Sequence, residues 1–251
     1  MTKDVRATRA VIQVSREVGI VTKTNASQTW NGAPSGGLQR VSSGEQVADY
    51  IRRLIFENRV HAGDRLQQDD IAAELRVSRI PVREAIIALG REGWLRIEPN
   101  RGAFVNGLDE NSTRDHYEML GLFYGMNARR AVERGTEQQI AQLAAAARAL
   151  NNATDPDEFL QRNGEFLHML VHLTESHRLI SIGRVLSTSI VPGNFFAEVP
   201  GAMRSQKRGI KTVMAAIKAG DGQRAESEFA ALLRGHADQV VDLLASRGLI
   251  N

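Results

Sequence analysis

Between Asp69 and Val105 the chain reads D-D-I-A-A-E-L-R-V-S-R-I-P-V-R-E-A-I-I-A-L-G-R-E-G-W-L-R-I-E-P-N-R-G-A-F-V, and no other stretch constrains the fold as tightly. Ile71 and Leu75 recur at helical spacing, the pattern breaks at Arg76-Val77, and it resumes in Val82, Ile86 and Leu89. Ser78 stands where the second of these helices needs an N-cap. Pro81 falls in its first turn, where a missing N–H leaves no bond unmade. Gly93 ends that helix. Trp94 to Ile97 and Ala103 to Val105 then read as two short strands around the tip Glu98-Pro99-Asn100-Arg101-Gly102. Helix, tight turn, helix and a basic, glycine-tipped hairpin predict a winged helix-turn-helix. That unit presents one helix end and one loop to double-stranded DNA.

Upstream, Ser42 or Ser43 can cap a further helix, with Glu45 and Gln46 in its first turn and Val47, Ile51, Leu54 and Ile55 on one face. Gln68 or Asp69 opens the next helix. Residues 1–41 are different in kind. The run Asn25 to Gly37 is rich in turn formers and poor in core formers, so 1–41 is expected to be a flexible tail and linker, with one short helix around Arg9 to Val18. Beyond Leu108, helical periodicities recur near 112–134, 136–152, 155–175, 177–190, 202–219 and 221–247. The expected architecture is therefore mainly α. A winged helix-turn-helix domain (42–107) is followed by an all-α six-helix bundle (108–251).

At 251 residues the chain has room for two such domains. It contains no cysteine, which excludes disulfides, thiolate metal sites and cysteine nucleophiles. No apolar run approaches the ~20 residues needed to cross a bilayer, and the first residues lack the apolar block of a secretory signal. A cytoplasmic protein with no membrane partner is expected. Residues 1–107 hold 16 Lys/Arg against 12 Asp/Glu, and residues 108–251 hold 16 against 17, so the positive excess lies with the helix-turn-helix.

A recognition helix reads base edges from its first turn. That turn offers Ser78, Arg79, Ile80, Pro81 and Arg83. Arg79 or Arg83 can take a guanine edge with two parallel N–H donors. Ile80 can pack on a thymine methyl, and Ser78 can reach a phosphate. At the hairpin tip Gly102 lets the backbone approach closely, and Arg101 can enter a narrow minor groove.

Residues 44–105 closely resemble the winged-helix domain of the GntR superfamily. The match is carried by Val77-Ser78-Arg79-Ile80-Pro81-Val82-Arg83-Glu84-Ala85, Leu89, Glu92-Gly93-Trp94-Leu95 and Arg101-Gly102-Ala103-Phe104-Val105. The helical remainder resembles the FadR-type effector domain, FCD, in its shorter VanR-like form. The resemblance implies a transcriptional regulator, usually a repressor. It would bind a palindromic operator as a homodimer and change DNA affinity when a small metabolite, an organic acid for instance, enters the helical domain. One departure is local. Family members often carry a basic residue in the first turn of the second helix, where this chain has Asp69 and Asp70. These acids suit a helix N-terminus but repel phosphate.

The resemblance also implies a divalent metal, held by an Asp-x-x-x-His pair and two later histidines. Here His168 matches the first histidine, but the Asp position is Gly164, and the later histidines fall near Ile210 and Leu232. Most of the family ligands are thus absent, and no cofactor is expected beyond a metal at His168. His236 lies one turn past the expected ligand, and His172 one turn past His168. Tyr117, Tyr124 and Asn127 share a helical face with Leu120 and Ala131. Together with His168, His172 and His236 they form the expected effector site. The family pattern has Arg near Leu120 and Glu near Tyr124, and both differ here. No serine–histidine–acid spacing, phosphate loop or paired-carboxylate signature points to an enzyme. The competing expectations are a metal-sensing or metal-dependent helical domain with accessory DNA binding, and non-specific DNA coating. The mild net charge of +3 disfavours the last of these.

Overall fold

The computed structural model describes residues 42–186 and 190–250. The expected tail, linker and short helix before residue 42 lie outside the described residues. The winged-helix unit comprises α1 (Ser43–Phe56), β1 (Arg65–Leu66), α2 (Gln68–Leu75), α3 (Arg79–Arg91), β2 (Leu95–Glu98) and β3 (Gly102–Val105). The helical unit follows as α4 (Glu110–Arg134), α5 (Glu137–Asn152), α6 (Pro156–His172), α7 (His177–Leu186), α8 (Phe195–Glu198), α9 (Ala202–Lys218) and α10 (Gly222–Ser246). Each of the six expected long helices is present. The four-residue α8 and the two-residue β1 are additions that periodicity does not predict.

Ser42 caps α1 by accepting the Glu45 N–H at 3.2 Å, and Val47, Ala48, Ile51 and Ile55 turn inward. They meet Val82, Ala85, Ile86 and Leu89 of α3, so α1 is the platform on which α3 lies. Buried Arg52 locks the two helices together. It donates to Asp49 at 2.5 Å on its own helix and to Glu92, just past the end of α3, at 2.7 Å. Burial works against its charge, but Glu92, Asp49 and Glu45 outweigh that and hold it protonated. Arg76, in the left-handed region at φ +53°, turns the chain between α2 and α3. The sheet has the order β1-β3-β2, antiparallel throughout, and β2-β3 is the wing.

In the helical unit α4 and α10 form the central pair. Ordinary side chains would hold two helices apart, but a Cβ at Gly125 would stand 2.7 Å from the Glu226 carbonyl, and one at Gly121 3.2 Å from the Ala230 Cα. Glycine at these two positions allows the helices to touch backbone to backbone. Ion pairs Arg114–Asp238 (2.6 Å) and Arg129–Glu226 (2.8 Å) fasten the pair near both ends. Around it packs a core that includes Phe159, Phe166, Leu170, Ile210, Phe229 and Leu244. The two units also touch. Phe56, the last residue of α1, is buried in the helical core, and the Arg247 guanidinium lies 4.4 Å over its ring. Glu198 of α8 holds that arginine from the other side at 2.8 Å.

Candidate DNA interface and candidate effector site

The first turn of α3 stands at the surface. Arg79 is its first residue and Ile80 is 61% exposed, although it is apolar. Arg83 is exposed one turn on, with no ion pair among the described residues. Arg79 is also exposed, but Asp69 of α2 holds it. Nε lies 2.7 Å from Oδ1 and Nη2 lies 3.0 Å from Oδ2.

Two expectations are corrected here. Ser78 has the backbone of an N-cap, but its hydroxyl makes no capping bond. Pro81 removes one of the two donors such a hydroxyl could reach. It occupies the third helical position, whose N–H a capping serine normally receives, and proline has none. Pro81 itself is buried, its carbonyl close under Gly44 of α1, so it belongs to the winged-helix core and not to the outer face.

In the wing, Gly102 has φ +110°, a backbone conformation that favours glycine, and the Arg65 guanidinium packs against it. Arg101 is exposed and pairs with Glu98 at 2.5 Å, and Arg96 pairs with the same carboxylate. Cross-strand register places Arg65 and Arg96 on either side of Phe104. The guanidinium groups of Arg96 and Arg101 lie 5.4 and 5.7 Å from its ring. Arg65 and Arg96 were not legible as site residues. The alternation of β2 was the available signal for Arg96. For Arg65 there was none, because a two-residue strand has no pattern.

Inside the helical unit Tyr117, Tyr124 and Asn127 are all buried on the inner face of α4, as their spacing requires. Tyr124 stacks on Phe229 at 5.5 Å. The Asn127 amide donates to the Phe123 carbonyl at 2.7 Å, while its own oxygen has no partner. Tyr117 and His236 both flank Phe195 of α8, at 6.4 and 5.1 Å between ring centres. Burial pushes the Tyr117 phenol up, lowers the His236 imidazole to about 4, and so leaves both neutral at pH 7. His236 Nε2 has no partner. On α6, His168 and His172 stack at 3.8 Å, and His172 Nδ1 donates to the His168 carbonyl at 2.9 Å. His168 Nδ1 is buried without a partner, and burial together with the neighbouring His172 lowers its pKa. Gln206 of α9 donates to Asn163 of α6 at 2.6 Å and keeps an unpaired oxygen.

The six expected effector residues thus fall in separate settings: Tyr117 and His236 around Phe195, Tyr124 against Phe229, Asn127 on its own helix, and His168 with His172 on α6. Phe195, Asn163 and Gln206 were not anticipated. Among the described residues no three His, Asp or Glu side chains converge as metal ligands, so the residues present do not fit the metal that an FCD domain implies. A groove of about 380 Å³ opens elsewhere, between α4, α5 and α9, along Ala131, Ile140, Ala144, Ile217 and Lys218. None of the expected effector residues lines it.

A winged helix-turn-helix joined to a helical bundle defines a two-domain regulator of the winged-helix class. The model for bacterial regulatory proteins of the gntR family matches residues 43–105, and that for the FCD domain matches residues 115–239. The chain belongs to the gntR family of bacterial regulatory proteins, with an FCD domain behind its winged helix. It is 33% identical over 130 residues to the Nta operon transcriptional regulator of Aminobacter aminovorans, covering 51% of this chain and 62% of that one. It is 32% identical over 144 residues to the gluconate operon transcriptional repressor of Bacillus subtilis, covering 56% and 57%. The chain thus spans about three fifths of these relatives' own length. Among solved structures, Lar of Listeria monocytogenes aligns with a TM-score of 0.58 at 16% identity over 82% of this chain and 99% of that one. McbR/YncC of E. coli aligns with a TM-score of 0.53 at 21% identity over the same shares. These two likenesses show the fold.

Proposed function

We propose that this protein is a cytoplasmic transcriptional repressor. It binds a palindromic operator as a homodimer and is released by a small organic acid taken up in the helical domain. The observation that carries this reading is the outward first turn of α3, with exposed Arg79 and Arg83, together with a wing that carries Arg96 and Arg101 and has Arg65 on the neighbouring strand. Such a face gives a helix end to the major groove and a basic tip to the minor groove.

Dimerisation is supported by Met119 and Leu122 of α4 and Ile182 of α7, which are 49%, 61% and 49% exposed. Large apolar side chains gathered on neighbouring helices favour cover by a second copy. Effector binding is supported by the orphaned oxygens and nitrogens of Asn127, His168, Gln206 and His236, which a polar ligand would satisfy. Contacts lead from there to α1, the helix on which α3 lies. Phe195 touches His236, Glu198 of the same short helix holds Arg247, and Arg247 covers Phe56 at the end of α1.

The test uses a randomised duplex library, selected with the full-length chain to yield a bound sequence. Replacing Arg79 and Arg83 together with alanine is expected to lower affinity for that sequence at least about fivefold, the lower end of the roughly 1–3 kcal/mol of one bidentate base contact, with the loss of a phosphate contact adding to it. The melting temperature should be unchanged. Wild-type affinity in the double variant overturns the assignment.

A further inference from the structure

We infer that Asp69 is a positioning residue that turns Arg79 from a mobile phosphate-seeking charge into a fixed reader of guanine. This role rests on the first turn of α3 entering the major groove, as proposed above. The geometry is a side-on, two-bond pair across the turn between α2 and α3: Nε to Oδ1 at 2.7 Å and Nη2 to Oδ2 at 3.0 Å. Both side chains are well exposed, at 76% and 64%. An exposed ion pair adds little to folding stability, so the pair is better explained by what it presents than by what it holds together.

A guanidinium has five N–H donors in one plane. The carboxylate occupies the edge formed by Nε–H and the inner Nη2–H. The outer edge, Nη1–H with the remaining Nη2–H, stays open, and this edge matches the O6 and N7 acceptors of guanine. With its inner edge clamped, the side chain loses most of its freedom to swing, so less order remains to be imposed at the moment of binding.

The same carboxylate changes the charge balance. Asp69 and Arg79 are together neutral, so a phosphate gains little from approaching the pair. Arg83, one turn further along and without an ion pair among the described residues, keeps a full charge for phosphate. Asp69 therefore withdraws Arg79 from sequence-independent attraction and leaves it to base readout. Asp70 serves as the internal control. It is an exposed neighbouring acid in the same helical turn, with the same effect on the helix dipole, but it makes no bond to Arg79.

The full-length chain and the sequence selected from the randomised library test this. Discrimination is read as the ratio of affinities for the selected duplex and for the same duplex with the Arg79-dependent guanine replaced. The Asp69→Asn variant should lower that ratio roughly tenfold, from the worth of one bidentate contact. Its binding to scrambled duplex should strengthen, with a log–log salt slope steeper by about 0.9, one phosphate's worth. Asp70→Asn should strengthen binding to both duplexes alike and keep the ratio. In Asp69→Asn/Arg79→Ala, discrimination should equal that of Arg79→Ala alone. If Arg79→Ala abolishes discrimination while Asp69→Asn keeps the wild-type ratio, or if the two changes add independently, the positioning role is wrong and the interface stands. If Arg79→Ala leaves the selected sequence and the ratio unchanged, the interface itself is misassigned and the positioning role falls with it.

Discussion

The two halves of the molecule place the polar side chains meant for a partner differently. In the winged helix the groups offered to a partner stand outside the core. Its one buried arginine, Arg52, is surrounded by carboxylates at 2.5, 2.7 and 3.4 Å. In the helical domain polar groups stand inside the core, and Asn127, His168, Gln206 and His236 each leave an atom unbonded there. The winged helix also buries two unbonded atoms, Tyr50 Oη and Arg52 Nε, but neither belongs to the face offered to DNA. A duplex is large and charged and can be met at a surface, so the groups that meet it need not be buried. A small ligand has to be enclosed, and the bonds kept for it weaken the empty protein.

The strongest way to break the contrast is to make the winged helix resemble its neighbour. Arg52→Ala leaves Asp49 and Glu92 half-buried without their cation. It is expected to destabilise the domain by about 3 kcal/mol, the lower end for a broken buried pair, read as a lower urea midpoint. Nearly as large is the acid sensitivity of the helical domain. His236 has a native pKa of about 4, below the ~6.5 of an unfolded histidine. The unfolded chain therefore takes up the proton first, and stability falls as pH drops from about 6.5 toward 4, by roughly 3 kcal/mol from this group, while His116, which burial also lowers to about 4, adds its own share over the same range. His236→Leu should make that limb of the urea stability profile shallower, with the shares of His116 and His168 remaining. It should cost little near pH 7.5, since no bond to Nε2 is lost. A profile identical to wild type would show that His236 is hydrated in the native state.

Arg247→Ala sharpens the comparison at the junction. Loss of its contact with Phe56 and Glu198 is expected to cost about 1 kcal/mol. The two halves should then melt further apart in calorimetry. The smallest effect belongs to Ser78→Ala. A working N-cap costs about 1 kcal/mol when removed. This one makes no bond, so the shift in midpoint should be too small to measure. A full-sized loss would mean that the hydroxyl caps in solution.

The winged helix was legible because its signals are local. The break at Arg76-Val77, the glycine at 93 and the tip at 102 each act within a few residues, and the helices form where expected. What failed there was also local but finer. Ser78 and Pro81 each suit a helix start, yet the proline removes one of the two donors that the serine could bind. The strand β1 escaped notice because two residues become a strand only by pairing with β3.

In the helical domain periodicity located the helices and the buried face of Tyr117, Tyr124 and Asn127. Which polar groups meet across helices was not legible. Gln206 and Asn163 are 43 residues apart, and Phe195 reaches His236 from a four-residue helix inside a break. Such meetings are set by how helices cross, and spacing along one helix carries no record of that.

The glycine contacts between α4 and α10 have a mechanical consequence. Each helix has 25 residues, and so is about 37 Å long. With backbones in contact they make a stiff double rod. Both of its ends nearest the DNA side are tethered there, α4 following the wing after four residues and α10 ending beside Arg247. A tilt of about five degrees at the far end of a rod that long sweeps its near end through roughly 3 Å. In the proposed dimer two such rods would change the distance between the two α3 helices by up to twice that amount, measured against half-sites about 34 Å apart.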